Sequence, residues 1–149
     1  MKLRLHAIAG TLALLIISTF WISTVFSEAF GSHQTIAQVK TAVLYGMALL
    51  IPAMAAAGAT GASLGRGWKL PQVAAKSRRM KFIAANGLLI LLPSAVFLAI
   101  KAQSGQIDGL FYTVQALELC AGAVNITLLS KNLRDGLSLA RRRRARSAA

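Results

Sequence analysis

Apolar residues in this chain gather into four long runs instead of alternating with polar ones. They read AIAGTLALLIISTFWISTVF (7–26), TAVLYGMALLIPAMAAAGAT (41–60), FIAANGLLILLPSAVFLAI (82–100) and GLFYTVQALELCAGAVNITLL (109–129). Each has about the 20 residues that a helix rising 1.5 Å per residue needs to cross a hydrocarbon layer. No segment has the period of two, or the shorter length, of a barrel strand. Lipid obliges every backbone polar group to find its partner inside its own segment, so the runs are expected to be helices. The pattern predicts an all-α integral membrane protein: a four-helix transmembrane bundle over 1–131, followed by a basic tail over 132–149. The stretches 27–40 and 101–108 read as short connections. The stretch 61–81 is longer and rich in Gly, Lys and Arg, with 72–81 expected to form a short interfacial helix.

Composition agrees with that pattern. Of the 149 residues, 56% are hydrophobic and only 14% charged, and the mean hydropathy is +0.60. The formal net charge of +13 would suggest a nucleic-acid or anionic surface in a soluble protein. Here the charges lie between the apolar runs, so they read as topology signals. Of the 17 Lys and Arg, all but Lys40 and Lys101 fall on one side if the chain crosses four times. The positive-inside rule then puts both termini in the cytoplasm of a multi-pass inner (plasma) membrane protein. Ser27-Glu28-Ala29 loosely resembles a cleavage site, but the first run is longer than the roughly 7–15 residues of a signal-peptide core. It is expected to stay as a helix. One cysteine and two histidines supply neither a disulfide framework nor a zinc cluster.

Glu118 is the residue that most invites a chemical reading. It lies mid-run in the fourth span, in a chain with only four acidic residues. A carboxylate at that depth is costly and is expected to face the bundle interior or water. Gln115, Glu118, Gly122 and Asn125 recur at spacings of three and four, which puts them on one helical stripe. Leu117, Ala121, Val124 and Leu128 make the other face. Depth counting matches Asn86 on the third span to Asn125, and Ser94 to Gln115 and Glu118, with Ser18 and Thr19 also near mid-membrane. Pro52 and Pro93 each free a carbonyl one turn earlier, to which a protonated Glu118 could donate. No Lys or Arg falls near the centre of a span. Glu118 is therefore expected to be a neutral acid, because desolvation disfavours its charged form. It then serves either as a proton-handling group or as a hydrogen-bonding link between helices.

Other features carry less. His6, followed by Gly10, is a candidate haem ligand; His33 lies across about 30 Å of hydrocarbon, so a second axial ligand would come from a second subunit's histidine or from inner-side Met54 or Met80. Ala53, Ala57, Gly61 and Gly65 form a small-residue stripe suited to close helix packing. The glycines of GASLGRGWKL (61–70) lack the ending of a phosphate loop. Arg141, Arg142, Arg143, Arg144 and Arg146 in the tail are expected to contact anionic lipid headgroups at about 1 kcal/mol each. No aromatic interleaving or folded module supports nucleic-acid binding. Tyr45, Tyr112 and Trp21 read as interface anchors, and Glu28, Asp108 and His33 as solvated loop residues.

There is no Ser-His-Asp set and no pair of carboxylates in one motif. The expected function is that of a small non-catalytic inner-membrane protein without a cofactor. It would be a subunit of a larger membrane assembly, or a homo-oligomer, or a proton-coupled transport component. Its polar centre would comprise Glu118, Gln115, Asn125, Asn86 and Ser94. The alternative is a b-type cytochrome or quinone-reactive anchor, holding haem b through His6.

Overall fold

A computed structural model describes residues 2–66 and 71–148, with side chains described through residue 138. Five α-helices and one π-helical turn make four membrane-length rods: α1 (Lys2–Phe30), α2 (His33–Gly65), α3 (Pro71–Asn86) continued by the π turn (Gly87–Leu91) and α4 (Leu92–Gln103), and α5 (Gly109–Ala148). All four rods are long and apolar enough to cross a membrane, and no strand occurs among the described residues. The interfacial helix expected over 72–81 is the first part of α3, which opens on Pro71 and runs straight into the span. Pro suits the first helical turn, where its missing N–H would have had no partner. The tail does not break away: α5 continues through residue 148. Trp68 and the side chains of Arg141, Arg142, Arg143, Arg144 and Arg146 lie outside the described residues.

The connection read as a loop over 27–40 is far shorter than the hydropathy implied. Only Gly31 and Ser32 separate α1 from α2. Ser32 caps α2, its hydroxyl accepting from the Thr35 amide at 3.2 Å. Gly31 is required here, since a Cβ would lie 2.5 Å from the Ser27 carbonyl oxygen. At the other joint Gly105 takes φ +70°, and Gln106 N donates to Lys101 O at 2.9 Å, a left-handed helix ending. Asp108 then caps α5 by accepting from Phe111 N at 3.0 Å.

The rods close a ring in which α1 packs on α2 and α5, α2 on α4, and α3 and α4 on α5. With two tight joints on one end, both termini lie at the other. Interior positions are often small (Ala13, Ala53, Ala57, Ala95 and Ala99 are buried), while Phe26, Leu49, Leu89 and Leu117 point outward. That is the packing logic of a bundle in lipid, where close backbone approach, and not water, drives association. The small-residue stripe of α2 is used inside the bundle. Ala57 is buried, Gly61 lies under the His6 ring and Gly65 under Val73. The π turn sits just before Pro93, with Leu92 N donating to Gly87 O. A proline cannot donate, and a wide turn is one way to accommodate it without a sharp kink.

Candidate functional site

The stripe on α5 faces the bundle interior: Gln115, Glu118, Gly122 and Asn125 are all buried, whereas Leu117 and Val124 are exposed. What meets Glu118 differs from the expectation. Lys40 donates to Glu118 Oε2 at 2.6 Å, across 78 residues of sequence, and the two residues are only 1% and 8% exposed. Glu118 is thus one half of a buried ion pair, not an isolated neutral acid. The expectation failed because Lys40 had been placed in an outer loop. It lies instead on the buried seam of α2, together with Ile36, Val43, Met47 and Leu50. At 1.5 Å per residue, Lys40 sits roughly 10 Å inside α2 and Glu118 roughly 13 Å inside α5. The carbonyls freed one turn before Pro52 and Pro93, offered as acceptors for Glu118, are not needed.

Gln115, 3% exposed, adds to the pair through Nε2, which lies 3.2 Å from Glu118 Oε2. Its Oε1 is buried without a hydrogen-bond partner, and so are both carboxylate oxygens of Glu28. Glu28 is therefore not the solvated loop acid that the sequence suggested. It lies in the last turn of α1, within the fields of both Lys40 and Glu118. Below this group, a cavity of about 40 Å³ is lined by Thr24, Trp21, Phe20, Met47, Gly122 and Glu118. The rest of the lining is apolar, so a water there would have Thr24 and Glu118 as its polar partners.

Trp21 is not an interface anchor. Its indole N–H donates to the Leu119 carbonyl at 3.0 Å, and its ring covers Gly122, leaving a Cβ there only 3.1 Å from Cδ1. Thr19 bonds back to Leu15 O on its own helix and is exposed.

Asn86 and Asn125 form a second, separate polar group. Asn86 Nδ2 donates to Asn125 Oδ1 at 2.8 Å and to Ala121 O at 2.9 Å, while Asn125 Nδ2 reaches Ile83 O at 3.3 Å. Both side chains are buried and carry no charge. Ser94 is buried on α4, but no described hydrogen bond joins it to Glu118.

The terminal end carries a third group. His6 Nδ1 lies 3.0 Å from Ala57 O and 3.1 Å from Thr60 Oγ1, and Nε2 lies 3.2 Å from Lys76 Nζ. Both ring nitrogens are engaged, so iron ligation by His6 would require displacing Lys76. Arg79 donates to Asp135 at 2.7 Å and to Asn132 at 3.0 Å, tying α3 to α5. Among the described residues, no three His, Cys, Asp or Glu side chains come together in a way that could hold a metal.

No known protein family matches the chain, and no curated protein or solved structure does either. The geometry of the polar groups is thus the ground for a functional reading.

Proposed function

We propose that this chain is a non-catalytic inner-membrane protein acting as a proton-coupled transport component, with the Lys40–Glu118 pair at its working centre. The observation that carries this reading is the 2.6 Å ion pair buried in the ring of four membrane-length rods. Ionisable groups at such depth are expensive, and where they occur they commonly mark ion and proton pathways. A pair with an accessible cavity beside it can open and close as Glu118 gains and loses a proton. A pair kept only for stability would be replaceable by apolar residues of similar volume. The distribution of Lys and Arg supports a topology with both termini cytoplasmic, and it gives the polybasic end of α5 anionic lipid to contact. On that topology the ion pair lies in the outer half of the membrane. Assembly with further subunits is compatible with the many large apolar side chains on the outside of the ring.

The test uses everted membrane vesicles energised to an acidic interior and followed with a pH-gradient dye. Adding the low-molecular-weight fraction of a cell extract should dissipate part of the gradient in vesicles holding the wild-type protein. The response should be absent for Glu118→Gln, provided that variant is inserted at equal level. Equal responses from wild type, Glu118→Gln and vesicles lacking the protein would overturn the reading.

A further inference from the structure

The charges at the jointed end of the bundle do not balance. Lys101 is taken by Asp108 at 2.6 Å, and Lys40 by Glu118 at 2.6 Å. The fourth acid of the chain, Asp135, is paired with Arg79 at the other end. Among the four acids, only Glu28 has no ion-pair partner in the described residues, and both its oxygens are buried without a hydrogen bond. The other titratable side chains toward this end, His33, Tyr45 and Tyr112, are exposed.

Register puts Glu28 beside the pair. Antiparallel packing sets Trp21 of α1 against Leu119 and Gly122 of α5. Seven residues further on, Glu28 comes level with Gln115, whose Oε1 also lacks a donor. Phe20 against Gly46, and His6 against Gly61, set the register of α1 on α2, which carries Glu28 to within a turn of Lys40. The fields of Lys40 and Glu118 at Glu28 agree with that placement. Thr24, one turn before Glu28 on the same face and buried, lines the cavity that Glu118 also lines.

We infer that Glu28 and Glu118 share one exchangeable proton, and that the Lys40 ammonium moves between the two carboxylates in the opposite sense. This rests on the transport reading above. In the arrangement described, Glu28 holds the proton as a neutral acid while Lys40 neutralises Glu118. When the O–H bond at Glu28 breaks and one forms at Glu118, Glu28 becomes the anion and Lys40 turns to it. The cluster has no net charge before or after the step. That matters in a low-dielectric interior, where an unpaired carboxylate is the costly species and an ion pair of good geometry is not. Lys40 suits the role because a lysine is a compact charge on a flexible stem, with donors to spare beyond the one given to Glu118. Glu28 lies in the last turn of α1, closer to the aqueous end than Glu118, so it is the entry residue and Glu118 the inner one.

Infrared difference spectroscopy of the full chain in lipid tests this directly, by following the C=O stretch of protonated carboxylic acid with its downshift in D₂O. Only four side-chain acids are present, and Asp108 and Asp135 are each in ion pairs. At neutral pH the wild type should show one such band. Glu28→Gln should remove it, Glu28→Asp should keep it at a shifted frequency, and Glu118→Gln should lose it as Lys40 pairs with an ionised Glu28. A band that survives Glu28→Gln, or no band in the wild type, would overturn the shared proton. Neither result depends on a transport signal. A band kept in Glu118→Gln would likewise overturn it, whereas loss of the band in both Glu28→Gln and Glu118→Gln with an unchanged vesicle response in Glu118→Gln would preserve the shared proton and remove the transport reading. If Glu28→Gln fails to insert, Glu28→Asp and Glu118→Gln still decide the matter through the shift and the loss.

Discussion

The bundle contains two buried polar groups of opposite character. The Asn86–Asn125 group is neutral, and each amide in it has found a partner, including the backbone carbonyls of Ala121 and Ile83. The Lys40–Glu118–Gln115–Glu28 group is charged, and three of its acceptor atoms have no donor. A satisfied neutral network has one good arrangement and fixes the helices that share it. A charged network with spare acceptors has more than one arrangement of similar cost, which is what a moving proton requires. The two groups lie on the same helical stripe of α5, so burial alone does not distinguish a link from a working site. On the transport reading proposed above, the count of satisfied partners does.

That contrast can be broken most severely at Lys40. Lys40→Met leaves the buried Glu118 carboxylate without its cation and is expected to cost about 3–5 kcal/mol of stability in bicelles. Lys40→Met combined with Glu118→Leu should recover most of that loss while the vesicle response stays absent. If the double variant is no more stable than the single one, the pair is not what the lysine stabilises.

Asn86→Leu is the complementary experiment. It removes the bonds to Asn125 and Ala121, and hydrogen bonds inside membrane proteins average about 0.6 kcal/mol with a maximum near 1.7. A loss of about 1–2 kcal/mol is expected, with the vesicle response kept. A variant stable but inactive would move the amides into the working site.

The smallest effect concerns Asp108, an exposed ion-pair member outside the spans. The Lys101 ammonium, and after it the Phe111 amide, hold its carboxyl below the ordinary range. A depressed folded value means that the contribution is present above the unfolded value and lost as pH falls through the folded one. Acidification through that range should speed hydrogen exchange at the Phe111 amide. Asp108→Asn, which keeps a capping oxygen, should exchange without that acid step.

Much of this was legible along the chain, and what was not has identifiable causes. The four rods follow from the length of the apolar runs, and the inward stripe of α5 follows from the spacing of Gln115, Glu118, Gly122 and Asn125. The depth match between Asn86 and Asn125 is close enough to become a hydrogen bond at 2.8 Å. Lys40 was misread because hydropathy averages over neighbours, and His33, Gln34, Thr35 and Gln38 drag its window toward a loop. Two signals spoke for the longer helix: Ser32 in a capping position, and Lys40 continuing the seam of Ile36, Val43, Met47 and Leu50. Trp21 was misread for a related reason, since a tryptophan near a span end is ordinarily an interfacial residue, and only the bare backbone of Gly122 makes room for it inside.

The sequence by itself determined that this is a bundle of membrane-length helices, because lipid accepts so few solutions for twenty apolar residues in a row. It also determined which face of α5 must turn inward. Only the tertiary structure decided which charges meet. Pairing across 78 residues depends on the register of whole helices, and no local pattern encodes that register. Glu28 shows this most clearly: in the sequence it is a polar residue ending an apolar run, and in the bundle it is a half-buried acid whose carboxylate oxygens are turned away from solvent.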